Sequence, residues 1–183
     1  MAGMAALFAS NACSRRALDP TPIASPTVSL PPAAGSPAPI SLKITYTLNA
    51  TLTTYPVAVW AESGWPSAGA FLKSLQAYPG NFNYSQSYVL PTWWGVDQGR
   101  DAPSPIAARP PGTYSVTWKL VDWQGAQEPP GNYVIRVETS NWGLLGTDDT
   151  VSVSAPAVPS AIGTNVTAGP TQYFSSLSVE TLP

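Results

Sequence analysis

GTYSVTWKLVDWQGAQEPPGNYVIRV, residues 112–137, carries the reading of the fold. Tyr114, Val116 and Trp118 alternate with Thr113, Ser115 and Thr117, and Tyr133, Ile135 and Val137 alternate with Val134, Arg136 and Glu138. A period of two means strands with one face against a core. Each run is entered through a Pro-Gly step, and Asp122 and Gly125 punctuate the stretch between them. The pattern predicts an antiparallel hairpin with Tyr114, Val116, Trp118 and Tyr133 inward, and Val134, Arg136 and Glu138 on the opposite face.

Toward the N-terminus, residues 41–52 alternate Leu42, Ile44, Tyr46 and Leu48 with Lys43, Thr45, Thr47 and Asn49. VAVWAE, residues 57–62, is apolar on both faces and reads as a more central strand. Residues 71–76 give a short third strand. Residues 150–154 and 174–181 supply two more, and Pro156, Pro159, Gly163 and Gly169 make a loop between them. Residues 79–111 keep no period; 85–90 can form one helical turn, stopped by Pro91. About seven short strands without a long amphipathic helix predict an all-β, immunoglobulin-like antiparallel sandwich over residues 41–183.

Several classes of function fall away on composition. Charged residues are 10% of the 183, against roughly 25% in typical globular domains. Net charge is −2, and the eight basic residues form no stripe, so the electrostatic footprint of nucleic-acid binding is missing. No apolar run reaches the roughly 20 residues that span a bilayer. Histidine is absent, which removes Ser-His-Asp and Cys-His catalysis and histidine metal ligation. Cys13 is the single cysteine, so no disulfide forms within the chain.

Residues 1–12, MAGMAALFASNA, are small and apolar and end immediately before Cys13. They resemble the tail of a bacterial lipoprotein signal, which implies lipidation at Cys13 and a membrane tether without a spanning helix. Ser10 stands where such signals place Leu, and no Lys or Arg precedes the apolar stretch. Residues 1–13 read as a partial signal, and residues 14–40, rich in Pro, Ser and Ala, as a disordered linker serving as a stalk.

The strand ladder carries a family resemblance. PGTYSVTW and PPGNYVIRVE resemble the immunoglobulin-like module of the bacterial flagellar hook-capping protein. They are more similar still to an uncharacterised bacterial family of predicted periplasmic proteins. That similarity takes in YPVAVWAESGWPSAGAFLKSL (residues 55–75), LPTWWG (90–95) and DAPSPIAARPPG (101–112), and covers roughly residues 41–182. The chain departs from the family at Lys119 and Leu120, where Asp-Gly is usual, and at Ser63, where the family has an acid. The resemblance implies a periplasmic or surface sandwich and no established activity.

The remaining candidates are acids and aromatics. Asp97 and Asp101 share a loop with Arg100, and Asp148 adjoins Asp149; such pairs serve glycoside hydrolysis or calcium only when held in particular geometry. No spacing matches a known calcium loop, and loop acids mostly cap turns or face water, so no catalytic, cofactor or metal residue is assigned. Seven Trp and eight Tyr are many for this length. Trp65, Trp93, Trp94 and Tyr88 lie in or beside turns, where aromatics stack on sugars or anchor a protein partner. The competing reading has the Trp pair sealing an open end of the sandwich. The sequons at Asn49, Asn83 and Asn165 are read as unmodified.

The expectation is therefore a non-enzymatic, lipid-anchored module of the periplasm or cell surface. It binds or positions an envelope protein or polysaccharide, or serves as a structural subunit with possible homo-oligomers. Carbohydrate binding through loop Trp residues is the alternative, and a hydrolase using loop carboxylates comes last.

Overall fold

The structure, a computed structural model, describes residues 39–64, 69–77, 90–97, 101, 108–141 and 148–183. Cys13, Trp65, Asn83, Tyr88, Arg100, residues 14–38 of the predicted stalk and residues 85–89 of the turn predicted at 85–90 lie outside them; Ile40, placed at the end of the stalk, is instead buried in the core.

The described residues form β1 (Ser41–Leu48), β2 (Val57–Ser63), β3 (Phe71–Ala77), a short helix α1 (Pro91–Asp97), β4 (Gly112–Trp118), β5 (Gly131–Ser140), β6 (Asp148–Ala157), β7 (Asn165–Ala168) and β8 (Phe174–Leu182). One antiparallel sheet runs β4-β1-β8-β7 and the other β3-β2-β5-β6. The all-β sandwich expected from the sequence is the fold observed.

Alternation explains which side chains lie between the layers. Leu42, Ile44, Tyr46 and Leu48 of β1 are buried, as are Val57, Val59 and Ala61 of β2, Tyr133, Ile135 and Val137 of β5, and Leu177 and Val179 of β8. Full burial of one such aliphatic or aromatic side chain is worth about 1.5–3 kcal/mol, so this layer supplies most of the driving force. On β4, Trp118 is buried and Tyr114 and Val116 are partly buried against the same core.

The predicted hairpin is not formed. β4 pairs with β1, in an unbroken register from Leu42–Trp118 to Leu48–Gly112, while β5 pairs with β2 and β6 in the other sheet. Residues 119–130 carry the chain across, too long a connection for a tight hairpin turn. Within it the Asp122 carboxylate accepts the amides of Gln124 and Ala126 at 2.9 and 2.7 Å. Gly125 supplies the left-handed φ of +87° that this turn requires. Trp118 and Tyr133 face each other across the sandwich, edge to face, with centroids 4.9 Å apart.

Both Pro-Gly entries do the same work. In Pro110-Pro111-Gly112-Thr113-Tyr114 the Tyr114 hydroxyl donates to the Pro110 carbonyl at 2.8 Å. In Pro129-Pro130-Gly131-Asn132-Tyr133 the Tyr133 hydroxyl donates to the Pro129 carbonyl. Each is a tyrosine corner, in which a ring leaving the strand ties down the chain entering it.

One further expectation is corrected. The segment between the last two predicted strands is not all loop, since it holds β7 and a 3-10 turn at Pro159–Ala161. Pro91 occupies the first position of α1, where its missing N–H has no partner to lose.

Candidate functional site

A strand apolar on both faces must be covered on both. On β2, Val57, Val59 and Ala61 enter the sandwich core, whereas Ala58 and Trp60 join Ala77, Leu90 and Trp93 in a second cluster on the outer face of the sheet. Phe71, Trp94 and Val96 pack against that cluster partly buried. Seven residues are too few to hold a helix unaided, so α1 persists through what it docks on.

Its first turn is held by a strand carboxylate. Glu138 of β5, fully buried, accepts the amides of Thr92 at 2.9 Å and Trp93 at 2.7 Å. These are two of the amides that a helix start leaves without an intrahelical acceptor. Burial pushes the Glu138 carboxyl above its ordinary value, and the hydrogen bonds from Trp93 and Thr92 draw it part of the way back. The sequence set Glu138 opposite the core, on the side of its strand that ordinarily faces solvent. It does face away from the main core, but α1 covers that side.

A chain of polar contacts continues from the helix to the sheet edge. The Trp93 indole donates to Ser74 Oγ at 2.8 Å. The Ser74 amide donates to Asp101 Oδ2 at 2.8 Å, and Lys73 Nζ lies 3.3 Å from Asp101 Oδ1. The Asp101 amide in turn donates to Asp97 Oδ1 at 3.0 Å. Beside them Glu62 accepts the Trp60 indole N–H at 2.7 Å. Arg136 Nε sits 3.0 Å from the other Glu62 oxygen, an ion-pair contact without the alignment of a hydrogen bond.

The acids singled out in the sequence thus have architectural partners. Asp97 and Asp101 join α1 to β3. Asp149 Oδ2 accepts the Thr171 hydroxyl and the Tyr173 amide, both at 2.6 Å. Asn49, in the first sequon, donates to the Gln172 carbonyl at 2.7 Å and accepts the Thr51 amide and the Tyr55 hydroxyl at 3.0 Å. Among the described residues no group of three or more acids or cysteines is placed to hold a metal ion, and no helix is long and apolar enough to cross a membrane.

The aromatics divide. Trp93 is 3% exposed with its indole N–H spent on Ser74, and it packs on the outer face of the sheet rather than at an open end of the sandwich. Trp94 is half-buried and meets Trp93 edge-on at 6.2 Å. Trp123, at the tip of the crossover, is 39% exposed, while its amide donates to the Leu72 carbonyl at 2.8 Å. The residues missed as organisers are Glu62, Ser74 and Glu138. The available signal was the two-faced VAVWAE strand, which requires a cover on the outer side of its sheet.

No protein-family model, no curated protein and no solved structure matches the chain.

Proposed function

We propose that the chain is a non-enzymatic module of the periplasm or cell surface, tethered by lipid at Cys13, that binds or positions another macromolecule or builds an assembly. One observation carries the reading: the described side chains best suited to chemistry are engaged in architecture. Glu138 caps α1, Glu62 holds Trp60 and Arg136, and Asp101 holds Ser74 and Lys73. A rigid sandwich with loops at its ends suits a positioning role.

The test combines mass spectrometry of the mature protein with capture of envelope partners by the full chain. Acylation at Cys13 and saturable capture of one macromolecule are expected. Hydrolysis of a glycoside panel that disappears in Asp101→Asn would retire the proposal. Carbohydrate binding is a second reading, favoured by the partial exposure of Trp94 and Trp123. It requires oligosaccharide quenching of Trp fluorescence that is lost in Trp94→Ala or Trp123→Ala.

A further inference from the structure

A two-sheet sandwich has four edge strands, and each edge offers unpaired backbone groups to another chain unless something blocks it. Here the edges are β3, β4, β6 and β7. Three are protected. On β3 the Asp101 carboxylate takes the Ser74 amide, the Trp123 amide takes the Leu72 carbonyl, and two register shifts bend its pairing with β2. β6 begins at Asp148 and Asp149 and contains Pro156, whose carbonyl accepts the Thr181 hydroxyl at 2.7 Å. β7 has four residues.

Among the described residues β4 has none of these devices. Its seven residues, GTYSVTW, include no charge and no proline, and its register with β1 is unbroken. Its described hydrogen-bonded strand partner is β1 alone. Tyr114 and Val116 stay half-buried at the rim of the core, while Thr113, Ser115 and Thr117 are exposed.

We infer that β4 is a self-association edge, pairing antiparallel with β4 of a second copy to join two four-stranded sheets into one of eight. This deepens the proposed function, and rests on it, by naming the face and the partner. The strand is self-complementary. A two-fold axis at Ser115 sets Thr113 against Thr117 of the partner and Tyr114 against Val116 of the partner. Hydroxyl meets hydroxyl on the outer face, and apolar side chains meet at the core rim. No like charges are brought together, because Arg109 and Lys119 flank the strand rather than occupy it. Self-pairing of β6 would bring Asp148 and Asp149 into the ladder, and self-pairing of β3 would bring in Lys73. A seven-residue edge makes a small interface, so a dissociation constant on the order of 10–100 μM is expected.

The experiment is light scattering on the full chain across a concentration series, in reductant so that Cys13 cannot link two copies. The expected result is a mass rising from the 19.2 kDa monomer to twice that value. Thr113→Lys with Thr117→Lys sets like charges opposite each other and is expected to weaken association at least tenfold. Thr113→Glu with Thr117→Lys sets opposite charges opposite each other and is expected to restore it. Both pairs lie on exposed positions, and circular dichroism checks that each variant is folded. A chain that stays monomeric to about 1 mM overturns the inference, and so does a lysine pair that associates like the parent. A monomer that still captures an envelope macromolecule would sink the self-pairing alone. A dimer that obeys the charge rule yet hydrolyses glycosides through Asp101 would sink the proposed function alone.

Discussion

Glu138 and Ala58 are register partners across β5 and β2, so their side chains share the outer face of the sheet. A carboxylate there is tolerable only because two amides converge on it from α1. Glu138→Ala leaves both amides without their acceptor, that of Trp93 buried, and a loss of about 2–4 kcal/mol in unfolding free energy is expected from urea titration. A loss below about 1 kcal/mol would mean that α1 finds its cap elsewhere. The raised carboxyl also fixes a sign. A folded-state pKa above the ordinary 4.5 means that the folded chain binds the proton more tightly than the unfolded one. The associated stability is complete below 4.5 and is lost as pH rises through the folded value. Stability should therefore fall with pH above 4.5, and Glu138→Gln should flatten that slope. A parent and variant with parallel pH profiles would remove Glu138 from the explanation.

The elements differ in how much of them the sequence discloses, and the differences have physical causes. β1, β4 and β5 are legible because each sets one apolar face against one core, which writes a period of two into the chain. Their neighbours are not legible. Alternation says which side chains turn inward, but two strands facing each other across a sandwich alternate just as two strands in a hairpin do. Trp118 and Tyr133 meet in the core either way, so the crossover between sheets leaves no trace in the pattern. β7 is too short for its alternation to register, and α1 is too short for a helical period. The one early sign of α1 is β2, whose apolar outer face demands a lid. That lid hangs on Trp93, which fills the second cluster and donates to Ser74. Trp93→Ala is expected to cost about 3–5 kcal/mol in stability. It should also speed amide exchange across residues 91–97 while leaving β1 protected. A variant of unchanged stability that had lost partner or sugar binding would return Trp93 to the contact role first read from the sequence.

Across the whole molecule the two sheets are joined by aromatic side chains that carry phenols. Tyr46 of β1 donates from one sheet to Gln76 of β3 in the other at 3.0 Å, and Tyr133 of β5 meets Trp118 of β4 edge to face. Both phenols are pushed up from 10 to about 12, chiefly by burial. For Tyr46 the Arg109 guanidinium, which also lies 4.7 Å from the Tyr114 ring centroid, pulls the other way. For Tyr133 the charge of Glu128 adds to the rise. A folded value above the unfolded one contributes stability that is complete below pH 10 and disappears as pH passes through 12. The chain has no histidine to titrate between these phenols and the carboxylates. Alkaline unfolding should therefore be a cooperative event between pH 10 and 12, with phenolate absorbance and loss of β-sheet circular dichroism rising together. Tyr46→Phe removes one buried phenol and the bond to Gln76. It should lower stability at neutral pH by about 0.5–1.5 kcal/mol and move the alkaline midpoint upward, because one fewer proton is then released on unfolding. If the phenols instead ionise well before the sheet signal changes, they lie open to water in the folded state, and the two layers are held together without them.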